Sequence, residues 1–183
     1  MIRFFDLVFS CLGLTIGFPI LFLIFVFGFF DTGSPLFMQR RVGRYQKPFI
    51  LVKFRTMSRD TESVASHLAP VGSITRLGFF LRKTKLDELP QLWNVLRGDM
   101  SLVGPRPGLF NQHELIHERA ALGVFEVRPG ITGLAQVSNI DMSTPLLLAQ
   151  VDQKMISNMT CIYYFKYIFM TAVGKGQGDR VRA

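Results

Sequence analysis

A long uncharged run dominates the pattern of hydrophobic and polar positions at the start of the chain. Residues 7–30 contain no Asp, Glu, Lys or Arg, so the run is 24 residues long. As a helix it would measure about 36 Å, and about 20 apolar residues suffice to cross a bilayer. It is too long for the apolar part of a secretory signal peptide, and no small-residue cleavage site follows it. The pattern predicts a membrane helix that ends in a turn over residues 31–35.

Pro19 lies near the middle of this run, where a proline removes one backbone hydrogen bond and kinks a helix. Two topologies follow: the helix spans the membrane with a bend, or it enters and returns on the same side as a re-entrant helix. Arg3 precedes the run, and four basic residues follow it: Arg40, Arg41, Arg44 and Lys47. Because basic flanks favour the cytoplasmic side, a re-entrant path satisfies all five charges, but the residues alone leave both topologies open.

Shorter periodic segments follow the membrane run. Residues 36–57 predict two short strands around a turn at 43–48, and residues 60–73 are polar and typical of a loop. Residues 75–84 have apolar positions at helical spacing. A second helix is predicted over residues 87–96, closed by Gly98. Because proline is tolerated only in the first turn of a helix, Pro90 places Asp87 and Glu88 at the N-terminus of this helix.

Two further helical segments complete the prediction. A third helix is expected over residues 110–122. Residues 145–173, rich in Phe, Tyr and Met, are expected to form a last helical stretch that lies on the membrane surface. The predicted fold class is therefore α+β, with an N-terminal membrane helix over residues 1–34. A small, mostly helical domain with a short β-hairpin and membrane-surface amphipathic helices follows over residues 35–183.

Composition restricts the classes of partner and compartment. The chain has 183 residues, enough for one domain plus an appendage, and a formal net charge of +8. Such an excess suits phosphate-rich partners: nucleic acid, anionic lipid head groups or a nucleotide-linked substrate. Its two cysteines are Cys11 and Cys161, and the first lies in the apolar run. A disulfide framework is therefore disfavoured and a reducing compartment fits.

The adjacent carboxylates Asp87 and Glu88 are the most informative polar feature. They follow the basic residues Arg82, Lys83 and Lys85. A helix N-terminus and nearby cations both favour the ionised carboxylate. An ionised Asp can attack phosphorus, and a neighbouring Glu can share a divalent hard cation with it. The alternative is ordinary helix capping, in which acids near an N-terminus only stabilise the helix.

Two proline-containing turns each hold an arginine. Arg106 lies between Pro105 and Pro107, which pre-orient its guanidinium for a bidentate phosphate contact. Arg128 precedes Pro129 in a second turn, whose glycines let backbone approach a ligand. Taken singly, each turn is also compatible with a solvated surface arginine.

A competing pattern is H-E-x-x-H at residues 113–117. On a helix it places His113 and His117 on one face for zinc, with Glu114 as base. A third ligand would be needed: His67 lies upstream, and Glu126 and Asp152 lie downstream. The alternative is a solvated helix face. Two functions other than phosphorus chemistry thus stay open, a zinc protease and a non-catalytic membrane-tethered binder of polyanions.

Four ordered motifs resemble those of the bacterial sugar transferases, the monotopic phosphoglycosyl transferases. They are KFRTM at 53–57, LDELPQLWNV at 86–95, GDMSLVGPRP at 98–107 and VRPGITGLAQ at 127–136. The resemblance covers nearly the whole chain, and the chain is similar in size to the minimal catalytic form of that family. It implies transfer of a phospho-sugar from a UDP-sugar to undecaprenyl phosphate with release of UMP. That reaction would be the first membrane step of a bacterial glycoconjugate pathway, on the cytoplasmic face of the inner membrane.

The resemblance also implies roles for individual residues. Asp87 would be the nucleophile, forming an aspartyl phospho-sugar intermediate, and Glu88 would complete the dyad. Mg²⁺ would be bound by Asp87. Substrate-binding positions would be Lys53, Arg82, Pro105, Arg106, Pro107, Arg128 and Asp152. The N-terminal helix would be re-entrant and broken near Pro19. Inner-membrane lipid and a possible homodimer complete the expected partners, with no nucleic acid among them.

The chain departs from the family pattern at two positions. Phe18 precedes Pro19 where a serine is common, and Tyr164 occupies a place where an aspartate is common. A serine hydroxyl could satisfy backbone groups freed in lipid. The departures therefore concern the geometry of the break at Pro19 and any carboxylate role at position 164.

Overall fold

The N-terminal apolar run forms one long helix. The computed structural model describes residues 1–59, 61 and 71–174. Helix α1 (Ile2–Thr32) continues through Pro19 and ends at Gly33, whose φ of 69° is left-handed. The Gly33 N–H donates to the Phe29 carbonyl at 2.9 Å, so the predicted terminating turn is confirmed. Within the described part of the chain, α1 alone is long and apolar enough to cross a membrane.

The predicted hairpin follows directly. Strands β1 (Leu36–Val42) and β2 (Pro48–Phe54) pair antiparallel, with Leu36 opposite Phe54 and Val42 opposite Pro48. A single 3-10 turn at Arg44–Gln46 joins them. Strand periodicity places Gln39 and Arg41 on the same face of β1, and both side chains are buried. The hairpin thus presents polar groups as well as apolar ones to the domain interior.

The helix that was predicted over residues 87–96 begins later than expected. Helix α2 (Arg76–Thr84) ends at Lys85, whose φ of 59° is left-handed. A 3-10 turn at Leu86–Glu88 comes next, and helix α3 (Gln91–Arg97) begins only after Pro90. Proline has no N–H, so the chain forms tight i→i−3 bonds before it, such as Leu89 N–H to the Leu86 carbonyl at 3.3 Å. The acid pair therefore lies on the 3-10 turn, not in the first turn of an α-helix. Gly98 ends α3 as predicted.

A second, parallel pair of strands was not predicted from the sequence. Strand β3 (Ser101–Val103) pairs with β4 (Gly130–Thr132). Helix α4 (His113–Ala121) lies between them in sequence and is shorter than the predicted 110–122. A short helix, α5 (Leu134–Val137), follows β4.

The last helical stretch is two helices rather than one. Helix α6 (Pro145–Ser157) and helix α7 (Cys161–Ala172) are separated by residues 158–160. Thr160 starts α7, because its Oγ1 accepts a hydrogen bond from the Tyr163 N–H at 3.3 Å. The described elements confirm the predicted mixture of helices and a short hairpin. Of the predicted polar loop at 60–73, residues 60 and 62–70 lie outside the described residues.

Helix α1 packs on the domain near both of its ends. Arg3 donates to the carbonyls of Val95 (2.6 Å) and Met100 (3.2 Å). Near the other end, Ile24 packs in a cluster with Phe54 and Leu81. Between residues 11 and 23 no side chain is buried. Gly13 lies against Leu92 and Leu21 packs beside the Ile24 cluster, so the domain contacts the helix between its ends as well, and the residues that stay exposed are those around Pro19.

Candidate active site

Asp87 and Glu88 lie on the 3-10 turn between α2 and α3, against strand β2. Asp87 is 4% exposed. Glu88 contacts Arg106: its Oε1 lies 2.8 Å from Arg106 Nη2, and both side chains are mostly buried. The ion pair joins the DE pair to the Pro-Arg-Pro turn, two motifs 18 residues apart. The structure thus brings together three predicted site residues.

The Pro-Arg-Pro turn is held in place by backbone contacts on both sides of Arg106. The Pro105 carbonyl accepts from the Gly130 N–H at 2.9 Å, and the Pro107 carbonyl accepts from Arg41 Nη1 at 3.0 Å. The Arg106 carbonyl itself accepts from Arg119 Nη1 at 2.7 Å. With two prolines restricting φ as well, the guanidinium of Arg106 is directed toward Glu88.

A buried ion pair supports this turn from behind. Arg119 donates to Asp152 Oδ2 from Nε (3.0 Å) and Nη2 (2.6 Å), and both residues are almost completely buried. Burial raises the pKa of the Asp152 carboxyl, and the Arg119 guanidinium opposes that shift. Arg119 was not predicted as a site residue. A signal existed, because Arg119 lies one helical repeat after the buried Leu115.

Two predicted cations flank the acid pair. Lys53, on β2, is buried, with its Nζ 5.6 Å from the centre of the Phe37 ring. Arg82, in the last turn of α2, donates from Nε to Thr56 Oγ1 at 2.8 Å. Both β2 and α2 pack against the 3-10 turn. Burial also lowers the pKa of Lys85; Arg106 lowers it further and Glu88 opposes the shift. The turn is thus surrounded by basic groups.

Arg128 and Asp152 lie apart from the acid pair. Arg128 donates from Nε to the Gly98 carbonyl at 2.8 Å, at the C-terminus of α3. Asp87 and Glu88 lie before the N-terminus of the same helix. Asp152 is fully buried and is linked to the Pro-Arg-Pro turn through Arg119. A direct substrate contact by either residue stays a prediction.

Comparison with known proteins identifies the family. The family model described as "Bacterial sugar transferase" matches residues 1–176 of this chain. The chain belongs to the bacterial sugar transferase family. It is 35% identical over 190 residues to a Salmonella typhimurium protein named undecaprenyl-phosphate galactose phosphotransferase, and the match covers 93% of this chain and 39% of that protein. It is 32% identical over 187 residues to the exopolysaccharide production protein ExoY of Rhizobium meliloti, covering 92% and 82% of the two chains.

Another similar sugar transferase is the Bacillus subtilis protein named uncharacterized sugar transferase EpsL, 49% identical over 107 residues. The match covers 58% of this chain and 52% of EpsL. This chain therefore spans about half the length of EpsL and 39% of the Salmonella protein, but most of ExoY.

The zinc pattern of the sequence does not assemble a metal site in the described residues of the chain. His113 and His117 are exposed on α4. No group of three or more His, Cys, Asp or Glu side chains suited to a metal ion occurs within residues 1–59, 61 and 71–174. His67 lies outside the described residues. The solvated-helix interpretation of H-E-x-x-H agrees with this exposure.

Tyr164 has a defined partner. Its hydroxyl donates to Asp6 Oδ1 at 2.9 Å, and the same oxygen accepts from Ser101 Oγ and the Leu102 N–H, each at 2.9 Å. Burial, followed by the neighbouring Asp6 carboxylate, raises the pKa of the Tyr164 hydroxyl. In this chain the residue at 164 thus binds a carboxylate from α1 and supplies none. Asp6 itself had not been predicted as a partner.

Proposed function

We propose that this chain transfers a phospho-sugar from a UDP-sugar to undecaprenyl phosphate, through a covalent intermediate on Asp87, with release of UMP. The observation that carries the proposal is the contact between Glu88 and Arg106 beside the buried Asp87. It brings the guanidinium of the Pro-Arg-Pro turn to two adjacent carboxylates on the 3-10 turn, with Lys53 and Arg82 on the flanking elements. Family membership and the name of the Salmonella relative support the same reaction class.

In the first half-reaction an oxygen of Asp87 attacks the β-phosphorus of the UDP-sugar. A bond forms between that oxygen and phosphorus, and the bond from the β-phosphorus to the bridging oxygen breaks. The electron pair leaves with UMP. Positive side chains around the turn oppose the build-up of negative charge on the phosphoryl oxygens. The phospho-sugar stays attached to Asp87 as an acyl phosphate.

In the second half-reaction a phosphate oxygen of undecaprenyl phosphate attacks the same phosphorus. The bond from phosphorus to the Asp87 oxygen breaks, which restores the carboxylate and leaves a diphosphate between the lipid and the sugar. Glu88, held by Arg106 at 2.8 Å, fixes the turn and keeps the guanidinium oriented while the two substrates exchange. The proposed course is therefore ping-pong.

The acid pair fits Mg²⁺ by the chemistry of its donors. Mg²⁺ prefers oxygen ligands, and it is usually held by one or two carboxylates plus substrate phosphates and water. Asp87 would hold the ion, with Glu88 beside it. When bound, Mg²⁺ would neutralise charge on the diphosphate of the donor.

We also propose that α1 is re-entrant and that the domain lies on the cytoplasmic face of the inner membrane. Arg3 and Ile24 both contact the domain. They are about 31 Å apart along a straight helix, close to the hydrocarbon thickness of about 30 Å. A small domain cannot occupy both faces of a bilayer, whereas a re-entrant helix returns both ends to one face. The exposed middle, with Pro19, would lie deepest. A homodimer stays a prediction.

Labelling tests the topology. In a variant with Cys11 and Cys161 replaced by Ser, Ile2→Cys is treated with a membrane-impermeant maleimide on intact spheroplasts. The proposal predicts labelling only after lysis. Labelling before lysis would show that the N-terminus lies outside the cell membrane and that α1 spans that membrane.

Turnover tests the chemistry. UMP release is measured with a panel of UDP-sugars, undecaprenyl phosphate and Mg²⁺, for wild type, Asp87→Asn and the control Asp99→Asn, which removes a partly exposed carboxylate. We expect Asp87→Asn to abolish release while membrane association survives, and Asp99→Asn to behave as wild type. Release by Asp87→Asn at the wild-type rate would exclude Asp87 as the nucleophile.

A further inference from the structure

Asp6, in the second turn of α1, is a buried carboxylate that the proposed mechanism does not use. It is 2% exposed. Its Oδ1 accepts three hydrogen bonds, each at 2.9 Å, from Ser101 Oγ, the Leu102 N–H and the Tyr164 hydroxyl. A buried carboxylate is costly unless several donors compensate its charge. One oxygen of the membrane helix therefore joins strand β3 and helix α7.

Two of these bonds complete the edge of β3 that faces away from β4. The Ser101 N–H donates to the Pro129 carbonyl at 2.9 Å, on the β4 side. The next N–H, of Leu102, belongs to the opposite edge, where a strand presents backbone groups that need a partner. Asp6 accepts from that N–H. The carboxylate thus occupies the place that a further strand would take beside β3.

Strand β3 leads directly into the Pro-Arg-Pro turn. Val103 ends β3, and Arg106 follows three residues later. Between them the Gly104 N–H donates to the Thr132 carbonyl at 2.8 Å. Because close-packed interiors transmit strain, a displacement of β3 moves Arg106, whose guanidinium lies 2.8 Å from Glu88 Oε1.

Arg3, one helical turn before Asp6, holds the element that carries the other half of this ion pair. Its Nη2 donates to the Val95 carbonyl at 2.6 Å, in the last turn of α3. The 3-10 turn with Glu88 immediately precedes the same helix. Arg3 Nη1 also lies 3.7 Å from Asp6 Oδ2. The first two turns of α1 thus hold both the helix that follows Glu88 and the strand that leads to Arg106.

Given the reaction proposed at Asp87, on which this role rests, we propose that Asp6 is a positioning residue. By fixing β3 against α1 it holds the Arg106 guanidinium against Glu88, so the membrane helix takes part in turnover besides anchoring the chain. Tyr164 bonds to the same oxygen from α7, which is not continuous with either half of the ion pair. Its bond supports stability and not the geometry of Arg106.

Two variants form a matched pair for the test. Ser101→Ala and Tyr164→Phe each delete one hydroxyl that donates to Asp6 Oδ1 at 2.9 Å, but only the first lies on β3. Ser10→Ala is the control. Ser10 lies one turn after Asp6 and is fully buried, and its Oγ has no hydrogen-bond partner within the part of the chain that the structure describes. Asp6→Ala removes all three bonds.

UMP release at saturating substrate is measured on the full chain in detergent, beside thermal unfolding. We expect Ser101→Ala to slow release about tenfold, as for displacement of a group at a reacting centre, and Tyr164→Phe and Ser10→Ala to stay within about twofold of wild type. Asp6→Ala should slow release at least as much as Ser101→Ala. In an Arg106→Gln background it should have no further effect, because the group that it positions is already absent.

Hydrogen exchange measured by mass spectrometry tests the same role without substrate, so it is decisive even if the proposed reaction fails. Exchange over residues 101–109 should quicken in Ser101→Ala and stay as in wild type in Tyr164→Phe, where only residues 161–172 respond. Unchanged exchange over 101–109 in Ser101→Ala would overturn the positioning role. Equal slowing of UMP release in Ser101→Ala and Tyr164→Phe, or equal slowing by Asp6→Ala with and without Arg106→Gln, would overturn it as well.

Discussion

Arg106 Nη2 lies 2.8 Å from Glu88 Oε1, and this pair joins the two most informative motifs of the sequence. Arg106 compensates the charge of Glu88, the neighbour of Asp87. The two adjacent carboxylates therefore stand in different surroundings. In the proposed reaction this difference assigns attack on phosphorus to Asp87 and a positioning role to Glu88.

Replacing Arg106 tests the role of this pair. We expect Arg106→Gln to lower the rate of UMP release about a hundredfold, the usual effect of losing one electrostatic donor at a reacting centre. Arg97→Gln is the matched control, because Arg97 is exposed and its ion pair with Asp99 lies on the surface. Equal rates for the two variants would contradict a role for Arg106 in turnover.

The buried pair of Arg119 and Asp152 is predicted to support stability. Arg119→Met leaves the Asp152 carboxylate buried without its partner, which costs roughly 3–5 kcal/mol of unfolding free energy. Adding Asp152→Leu removes that carboxylate and should recover part of the loss. Thermal unfolding of the purified protein measures both variants, with the exposed His113→Ala as control. A double variant less stable than Arg119→Met would argue against this interpretation.

The contact between β3 and β4 depends on two glycines. A Cβ on Gly104 would meet the Arg128 carbonyl at 2.5 Å and the Gly130 N at 2.8 Å, both backbone atoms. Gly104→Ala should therefore lower the melting temperature by several degrees, since backbone must move. Gly72→Ala is the control, as nothing lies within 4 Å of its added Cβ. Equal melting temperatures for Gly104→Ala and Gly72→Ala would show that β3 and β4 accommodate the added Cβ without loss of stability.

Tyr164 is predicted to make stability fall at high pH. Its raised pKa means that the folded chain keeps the hydroxyl proton where the unfolded chain loses it. The contribution of the Tyr164–Asp6 hydrogen bond to the free energy of unfolding is thus fully present below the ordinary tyrosine pKa of about 10. As pH rises above that value, the free energy of unfolding falls by up to about 1.4 kcal/mol per pH unit. Unfolding by denaturant at pH 8 to 11 measures the slope. Tyr164→Phe should flatten it, and an unchanged slope would be inconsistent with this role.

Local patterns predicted the elements that depend on nearby residues. The uncharged run, the terminating Gly33, the alternating hairpin and the closing Gly98 all act within a few positions. The predicted start of α3 at residue 87 was wrong. The left-handed Lys85 and the 3-10 turn before Pro90 delay the helix to Gln91, although the spacing of apolar residues is helical from residue 87. The division of the last helical stretch was also missed.

Contacts between distant residues could not be predicted from local pattern. The parallel pair of β3 and β4 joins short segments about 30 residues apart and shows no alternation long enough to detect. The bonds of Arg119 to Arg106 and of Tyr164 to Asp6 depend on the assembled fold. Motif resemblance predicted Asp87, Glu88 and Arg106 as site residues. The structure shows Glu88 paired with Arg106 and places Arg128 at the far end of α3.

The proposed mechanism requires that phosphorus becomes bonded to Asp87. Wild type, Asp87→Asn and Asp99→Asn are incubated with UDP-sugar and Mg²⁺ but without lipid acceptor, quenched, digested and analysed by mass spectrometry. We expect a phospho-sugar adduct on the peptide containing Asp87 in wild type and Asp99→Asn, and none in Asp87→Asn. An adduct that persists in Asp87→Asn, or turnover in wild type without any adduct on that peptide, would contradict this mechanism.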